Sequence, residues 1–370
     1  MVIEFVASQA YFLFAKPTIV EVNMFGVWAL VGTVVTASLL LQLITSYSFK
    51  SAEFQYSMLS FMLFAAIALV SAGPADSLLL DFNLASCNSF FFFFFFCEFI
   101  TNASVMAAFV TFRELVLTSL ESNNMSDLKY VVNRLTESNT TLIWVVLAAF
   151  LGSITVYPAI RFGVLYAESA DEHKDSLSKS LLLHASFVLP IIAPLLWVLP
   201  ITRKFDLSFQ YFFFSPKRNK TLLNHFYFIL RFLTWLRVAA CLIVVLSRFA
   251  VVRTVVQTYL DSVGSTIKKI SGEEGRLTLF DFRLKIWPIV FYVCVVTLQL
   301  VGPVLLLLYA TLLMASWGDI GFYHSNTPGI VFSGQMLLPV FSFFTWFLVT
   351  VQALGSTLAV LSQRLGQQFR

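Results

Sequence analysis

Long runs of apolar residues, separated by polar segments, dominate this chain. Seven runs are long enough to cross a hydrocarbon core of about 30 Å, which takes about 20 helical residues. They cover residues 24–46, 54–72, 141–163, 181–201, 226–252, 287–314 and 330–361. Because backbone polar groups find no partner in lipid, each run must be an α-helix. The pattern predicts an all-α, polytopic transmembrane helical bundle that forms a single multi-pass domain over residues 1–370.

Two further apolar segments do not fit this description. Residues 89–112 contain seven consecutive phenylalanines, Phe90 to Phe96, and such a run indicates compositional bias before structure. This Phe-rich block is either an eighth span, with Glu98 as an intramembrane acid, or a retained intron in the gene model, and both interpretations stay open. Val2 to Ala15 are too few to span and lack the basic start of a signal peptide, so we interpret them as a partial helix whose beginning is missing.

Composition supports a membrane protein. Hydrophobic residues make up 58% of the chain and charged residues 12%, whereas a soluble domain carries about 25% charged residues. The net charge of +4 comes mostly from basic residues in loops and at the ends of the apolar runs, where anionic lipid headgroups attract them. The lipid bilayer is therefore the expected partner, and nucleic acid is not. The four cysteines lie singly, which predicts packing residues rather than a metal site, and we expect no cofactor.

Three glycosylation sequons suggest the orientation. Asn124 and Asn139 precede the run 141–163, and Asn219 lies two runs later, so all three fall on one predicted side. Because such sites are glycosylated only in the lumen or outside the cell, this side is predicted to be lumenal. The basic segment 253–286 and the tail after residue 361 then face the cytosol, in agreement with the positive-inside rule. Either the endoplasmic reticulum or the plasma membrane fits this orientation.

Four arginines, Arg231, Arg237, Arg248 and Arg253, interrupt one apolar stretch. A charge near the bilayer centre costs at least about 2.5 kcal/mol. We expect Arg231, Arg248 and Arg253 to extend to the interfaces. Arg237 is too deep for that and is expected to point into the bundle, toward a carbonyl, a polar side chain, a cavity or a lipid phosphate. Arg237 and Arg248 project from nearly the same line of the helix, about 16 Å apart. Their separations of 6, 11 and 5 residues do not match a voltage sensor, in which arginines occupy every third position.

Prolines and isolated polar residues supply the other candidates. The kink candidates are Pro158, Pro190, Pro200 and Pro303. Each proline removes a helix hydrogen bond and frees a carbonyl, which either receives a polar group or only lets tilted helices pack. Gln299 is expected to be an interhelical hydrogen-bond partner. His184 is isolated, and no catalytic motif is present, so the sequence predicts a protein that is not an enzyme.

One stretch of the chain resembles the transmembrane protein 161 family. The similarity is carried by Leu236-Arg237, Ser247-Arg248, Arg253 and Gln257-Thr258-Tyr259-Leu260. Further matching positions are Lys16-Pro17, Pro158, Arg161, His184, Pro190, Trp197 to Thr202, Tyr292 to Cys294, Leu298-Gln299 and Thr345-Trp346. Three features depart from the family: an N-terminal segment that relatives carry and this chain lacks, the Phe-rich block, and a short loop from Ser316 to Gly329.

The resemblance implies a function without a mechanism. The family is linked to membrane excitability, to restraint of potassium and calcium currents, to cardiac rhythm and to protection from oxidative stress. It implies a non-enzymatic protein that modulates ion handling, with an ion channel, a pump or a lipid as the partner of the arginine-bearing helix. The alternatives are a transporter or channel in its own right, for which no internal repeat is evident, and a stress-protective membrane protein.

Overall fold

Seven helices form the architecture of the computed structural model, which describes residues 21–22, 24–46, 52–72, 126–172, 176–198, 222–274, 287–320, 323–324 and 334–368. The helices are α1 (Met24–Ser46), α2 (Ala52–Ala72), α3 (Ser126–Glu172), α4 (Leu177–Ile192), α5 (Leu222–Glu274), α6 (Trp287–Ile320) and α7 (Gly334–Gln368). A 3-10 turn, Ala193–Trp197, closes α4, and two short strands, β1 (Glu21–Val22) and β2 (Tyr323–His324), pair with each other.

The predicted helical membrane bundle is confirmed. Among the described residues, six helices are long and apolar enough to cross a membrane. Their apolar stretches are Phe25–Ile44, Val145–Ala170, Leu177–Trp197, Phe232–Ser265, Phe291–Ser316 and Leu338–Leu365. The predicted span 54–72 coincides with α2, in which only Leu59–Ser71 counts as a shorter apolar helix, so its crossing stays a prediction. The Phe-rich block and Val2 to Ala15 lie outside the described residues.

Helix α3 begins earlier than the apolar pattern indicated. It starts at Ser126, so Asn139, which precedes the predicted run 141–163, already lies on the helix. The physical reason is that no glycine or proline occurs between Ser126 and Gly152, so the polar segment contains no residue that would break a helix. Hydrophobicity marks where a helix meets lipid, but it does not mark where the helix begins.

Helices α1 and α6 pack side by side in opposite directions. A Cβ added to Gly32, near the start of α1, would meet the Tyr309 ring at 2.6 Å. A Cβ added to Gly302 would meet the Leu40 side chain at 2.6 Å. The later residue of α1 thus lies beside the earlier residue of α6. Strand β1 precedes α1 and strand β2 follows α6. Because Glu21 pairs with His324, the start of α1 lies beside the end of α6.

Helices α3 and α7 run in the same direction along an extensive contact. Gly152 lies against Phe347, and Gly163 lies against Ser356 and Ala359. Because both residue numbers increase together, the two helices are parallel. The core is built around this pair: α2 packs on α3, and α6 packs on α7.

Helix α6 runs opposite to α7, because Gln352 contacts Pro303, whereas Arg161, which lies beyond the level of Gly355, contacts the earlier residue Gln299. Helix α3 is therefore parallel to α1. Since α2 begins six residues after α1 ends, too few to cross the bundle again, α2 runs opposite to α3, and the end of α2 lies on the same side as the start of α3.

We therefore expect epitope tags placed after Ala72 and before Ser126 to be accessible from the same side, predicted lumenal, in selectively permeabilised cells. A tag after Arg370 should report the opposite side. Tags at Ala72 and Ser126 on opposite sides, as a single crossing by residues 89–112 would require, would contradict this topology.

Candidate functional site

Arg237 of α5 points into the bundle and contacts a backbone carbonyl. Its side chain is 7% exposed, and Nε donates a hydrogen bond to the Leu196 carbonyl oxygen at 3.2 Å. Leu196 lies in the 3-10 turn that closes α4, where carbonyl oxygens lack helical partners. Pro200, which lies outside the described residues, has no N–H to offer that carbonyl. The geometry agrees with the expectation that Arg237 turns inward.

The Trp197 indole lies beneath the Arg237 guanidinium and joins a third helix to this contact. The Arg237 Cζ atom is 5.2 Å from the centroid of the Trp197 ring, a cation–π distance. Trp197 is fully buried, and its Nε1 donates to Ser342 Oγ of α7 at 2.6 Å. One arginine and one tryptophan therefore hold the end of α4 against α5 and α7.

Arg248 is buried, which corrects the expectation that it extends to the interface. Its side chain is 3% exposed, and its Cζ atom lies 4.0 Å from the centroid of the Phe162 ring on α3. The reason is helical geometry: the 11-residue step from Arg237 leaves Arg248 only about 20° away around the helix. A helix that turns Arg237 inward must turn Arg248 inward as well. Arg253, about 140° further round, is exposed, and its extension to an interface stays a prediction.

Arg161 of α3 is an intramembrane arginine that the sequence analysis identified only as a point of family resemblance. It is half-buried. Its Nη1 donates to Tyr292 Oη at 2.8 Å and to Gln299 Oε1 at 2.9 Å, and its Cζ lies 4.7 Å from the Tyr292 ring centroid. Gln299 is thus the interhelical hydrogen-bond partner that was expected.

A signal for Arg161 was present in the sequence. Tyr292 and Gln299 are seven residues apart on α6, two helical turns, and therefore share a face. A lone arginine in an apolar run requires such a partner. The predicted run ended at residue 163, only two residues after Arg161, whereas the apolar stretch continues to Ala170.

The face of α5 that carries Arg237 and Arg248 also contacts Arg161, through a residue one further 11-residue step along the helix. Tyr259, a further 11 residues along, lies with its ring centroid 5.8 Å from the Arg161 Cζ atom. We refer to Arg237, Arg248 and Arg161 together as the arginine column. It connects α5 with α3, α4 and α6 at successive depths of the bundle.

The other candidate residues are dispersed. His184 is exposed on α4, where Nδ1 lies 2.7 Å from Tyr166 Oη. Tyr166 stacks on Phe187 with the ring centroids 4.5 Å apart. The sequon residue Asn139 is helical, whereas Asn124 and Asn219 lie outside the described residues, as does the side chain of Arg231. The structure therefore does not bring His184 or the sequons to the arginine column.

The proline candidates lie within continuous helices or at a helix end. Pro158 is inside α3 and Pro303 is inside α6, whereas Pro190 is in the last turn of α4 before the 3-10 turn. The carbonyl oxygen of Pro303 accepts a hydrogen bond from Gln352 Nε2 of α7 at 2.9 Å. Across the described part of the chain, no three His, Cys, Asp or Glu residues gather as a metal site requires.

A family comparison assigns this bundle. The family described as "Predicted transmembrane protein 161AB" matches residues 1–329. The chain belongs to the transmembrane protein 161AB family. All three residues of the arginine column lie inside the matched range, whereas α7 begins beyond it and still packs against the matched helices α3 and α6. No solved structure matches this member of the transmembrane protein 161AB family.

Proposed function

We propose that this multi-pass membrane protein is not an enzyme and modulates ion handling, by binding an ion channel or pump. The observation that carries the proposal is the arginine column. Positive charge inside a bilayer is expensive, and intramembrane charges are characteristic of ion pathways and their regulators. A bundle that holds three arginines between its helices is suited to influence the movement of ions across the membrane.

The chemistry of the contacts supports this proposal. Hydrogen bonds and aromatic rings fix the positions of Arg237 and Arg161 between the helices. Because a charge interacts more strongly in a medium of low dielectric constant, guanidinium groups held at fixed positions can act on an ion or a charged segment that passes beside the bundle.

A transporter or channel activity of the protein itself is the second candidate. It is favoured by Gln352, which donates to the Pro303 carbonyl and whose Oε1 is buried with no hydrogen-bond partner among the described residues. Unpaired oxygens near a proline in a helix interior can coordinate a cation. Purified protein in liposomes distinguishes the two candidates: potassium, calcium or chloride flux above that of empty liposomes supports conduction, and its absence supports modulation of another protein.

Arg237 and Arg253 form a matched pair for testing the proposal in cells. We expect Arg237→Leu to change whole-cell potassium or calcium currents and the recovery of a channel partner. Arg253→Leu should leave both close to wild type, because Arg253 is exposed while Arg237 is buried on the Leu196 carbonyl. The measurements are patch-clamp recordings and co-purification at matched protein abundance.

Abundance must be matched because replacing a buried charge by an apolar residue can stabilise a fold. Expression level alone therefore does not report on function. The proposal is contradicted if Arg237→Leu behaves as wild type in both assays while Arg253→Leu changes the currents and loses the partner. In that case the exposed arginine, and not the buried one, modulates ion handling.

A further inference from the structure

Arg248 has two side-chain nitrogens that no described residue satisfies. Its Nε and Nη2 are buried, and within the part of the chain that the structure describes neither has a hydrogen-bond partner. Buried polar groups are paired in the great majority of cases, and an unpaired group requires an explanation. Arg237 and Arg161, the other members of the arginine column, both make hydrogen bonds.

The two unpaired nitrogens form one recognition edge. In a guanidinium, the N–H of Nε and one N–H of Nη2 point in the same direction and lie in the same plane. This side-on pair is the fork that binds carboxylate and phosphate oxygens in a bidentate manner. Arg248 therefore presents a complete, unused anion-binding edge rather than two unrelated defects.

The described surroundings of Arg248 cover a face of the guanidinium but do not satisfy this edge. The Phe162 ring covers a face of the guanidinium at 4.0 Å, and a ring contact does not satisfy an N–H in the guanidinium plane. Within the described residues, no carboxylate reaches this edge. A buried charge is tolerated when it is both paired and hydrogen-bonded, and a bound anion would supply both.

We propose that the Nε and Nη2 edge of Arg248 is a binding site for an anion of the size of chloride or a phosphate group. The chemistry of this edge allows two sources of the anion, a dissolved ion or the phosphate of an anionic lipid. Because both nitrogens are buried, the helices around Arg248 must separate slightly for either to enter. This site does not depend on the proposed role in ion handling.

Thermal unfolding of the full chain tests the site. Purified protein in uncharged detergent is measured in sodium gluconate, then with added chloride or inorganic phosphate, and separately in nanodiscs with and without phosphatidic acid. We expect a concentration-dependent rise of several degrees in the Tm with at least one of these anions, because a ligand bound only to the native state stabilises it. A rise with chloride or inorganic phosphate in detergent identifies a dissolved anion as the ligand, whereas a rise with phosphatidic acid in nanodiscs identifies a lipid.

Two variants distinguish Arg248 from general salt effects. Arg248→Met should lose the anion-dependent rise and keep the same Tm in gluconate and in the responding anion, whereas Arg253→Met should respond as wild type does. Arg248→Lys retains the charge without the fork and should need roughly tenfold more anion; it also decides the test if Arg248→Met does not accumulate. A wild-type Tm that is independent of every anion, or an Arg248→Met protein that still responds, overturns the proposal.

Discussion

Replacing Gly163 by alanine is expected to destabilise the protein strongly, although only one methyl group is added. A Cβ at this position would lie 2.5 Å from the carbonyl oxygen of Ser356 and 2.7 Å from the Ala359 Cβ. The first of these atoms belongs to the backbone of α7 and cannot rotate away. Parallel helices that meet through small residues depend on such close approach, so the methyl group must push α3 and α7 apart.

Gly264 supplies the matched control for this substitution. It also lies within a helix, α5, but a Cβ there would meet nothing within 4 Å. Gly264→Ala should therefore be neutral, or stabilising by up to about 1 kcal/mol through helix propensity. Gly163→Ala should cost about 1–3 kcal/mol, the usual range for overpacking. Thermal unfolding in detergent measures both, and equal Tm values for the two variants would show that the α3 and α7 contact is looser than this geometry.

The spans could be predicted from the sequence because lipid imposes one rule on every residue of a crossing helix. Length and hydrophobicity alone located α1, α4 and α6 to within four residues of their apolar stretches, and placed the start of α7 eight residues early. Where a helix continues into water the rule does not apply. For this reason the polar start of α3 at Ser126 and the long extension of α5 to Glu274 were not predicted.

The arginine column could be predicted only in part. Depth along a helix can be read from the sequence, so Arg237 was expected to turn inward. Which way a helix face points depends on its neighbours, and the buried Arg248 was therefore misread as interfacial, although its 11-residue separation from Arg237 already placed both on one face. The contact of Arg161 with Gln299 joins residues 138 positions apart, and no local pattern reports such a pairing.

Arg161→Met is the second substitution with a large expected effect. It removes the donor to Tyr292 Oη and Gln299 Oε1, and Gln299 is 1% exposed. A buried amide oxygen that loses a charged donor costs about 1–3 kcal/mol. We expect a clear fall in the Tm of Arg161→Met, whereas Arg253→Met, at an exposed position, should change the Tm little.

A double-mutant cycle separates this contact from a general effect of lost charge. Gln299→Met alone should also lower the Tm, because Arg161 loses an acceptor. The double variant replaces both partners by apolar side chains of similar length, a change that is often close to neutral. It should therefore be more stable than either single variant, with a coupling of about 0.5–3 kcal/mol. Additive losses would mean that Arg161 and Gln299 act independently, and that Tyr292 or the Tyr259 ring carries the stabilising contact of Arg161.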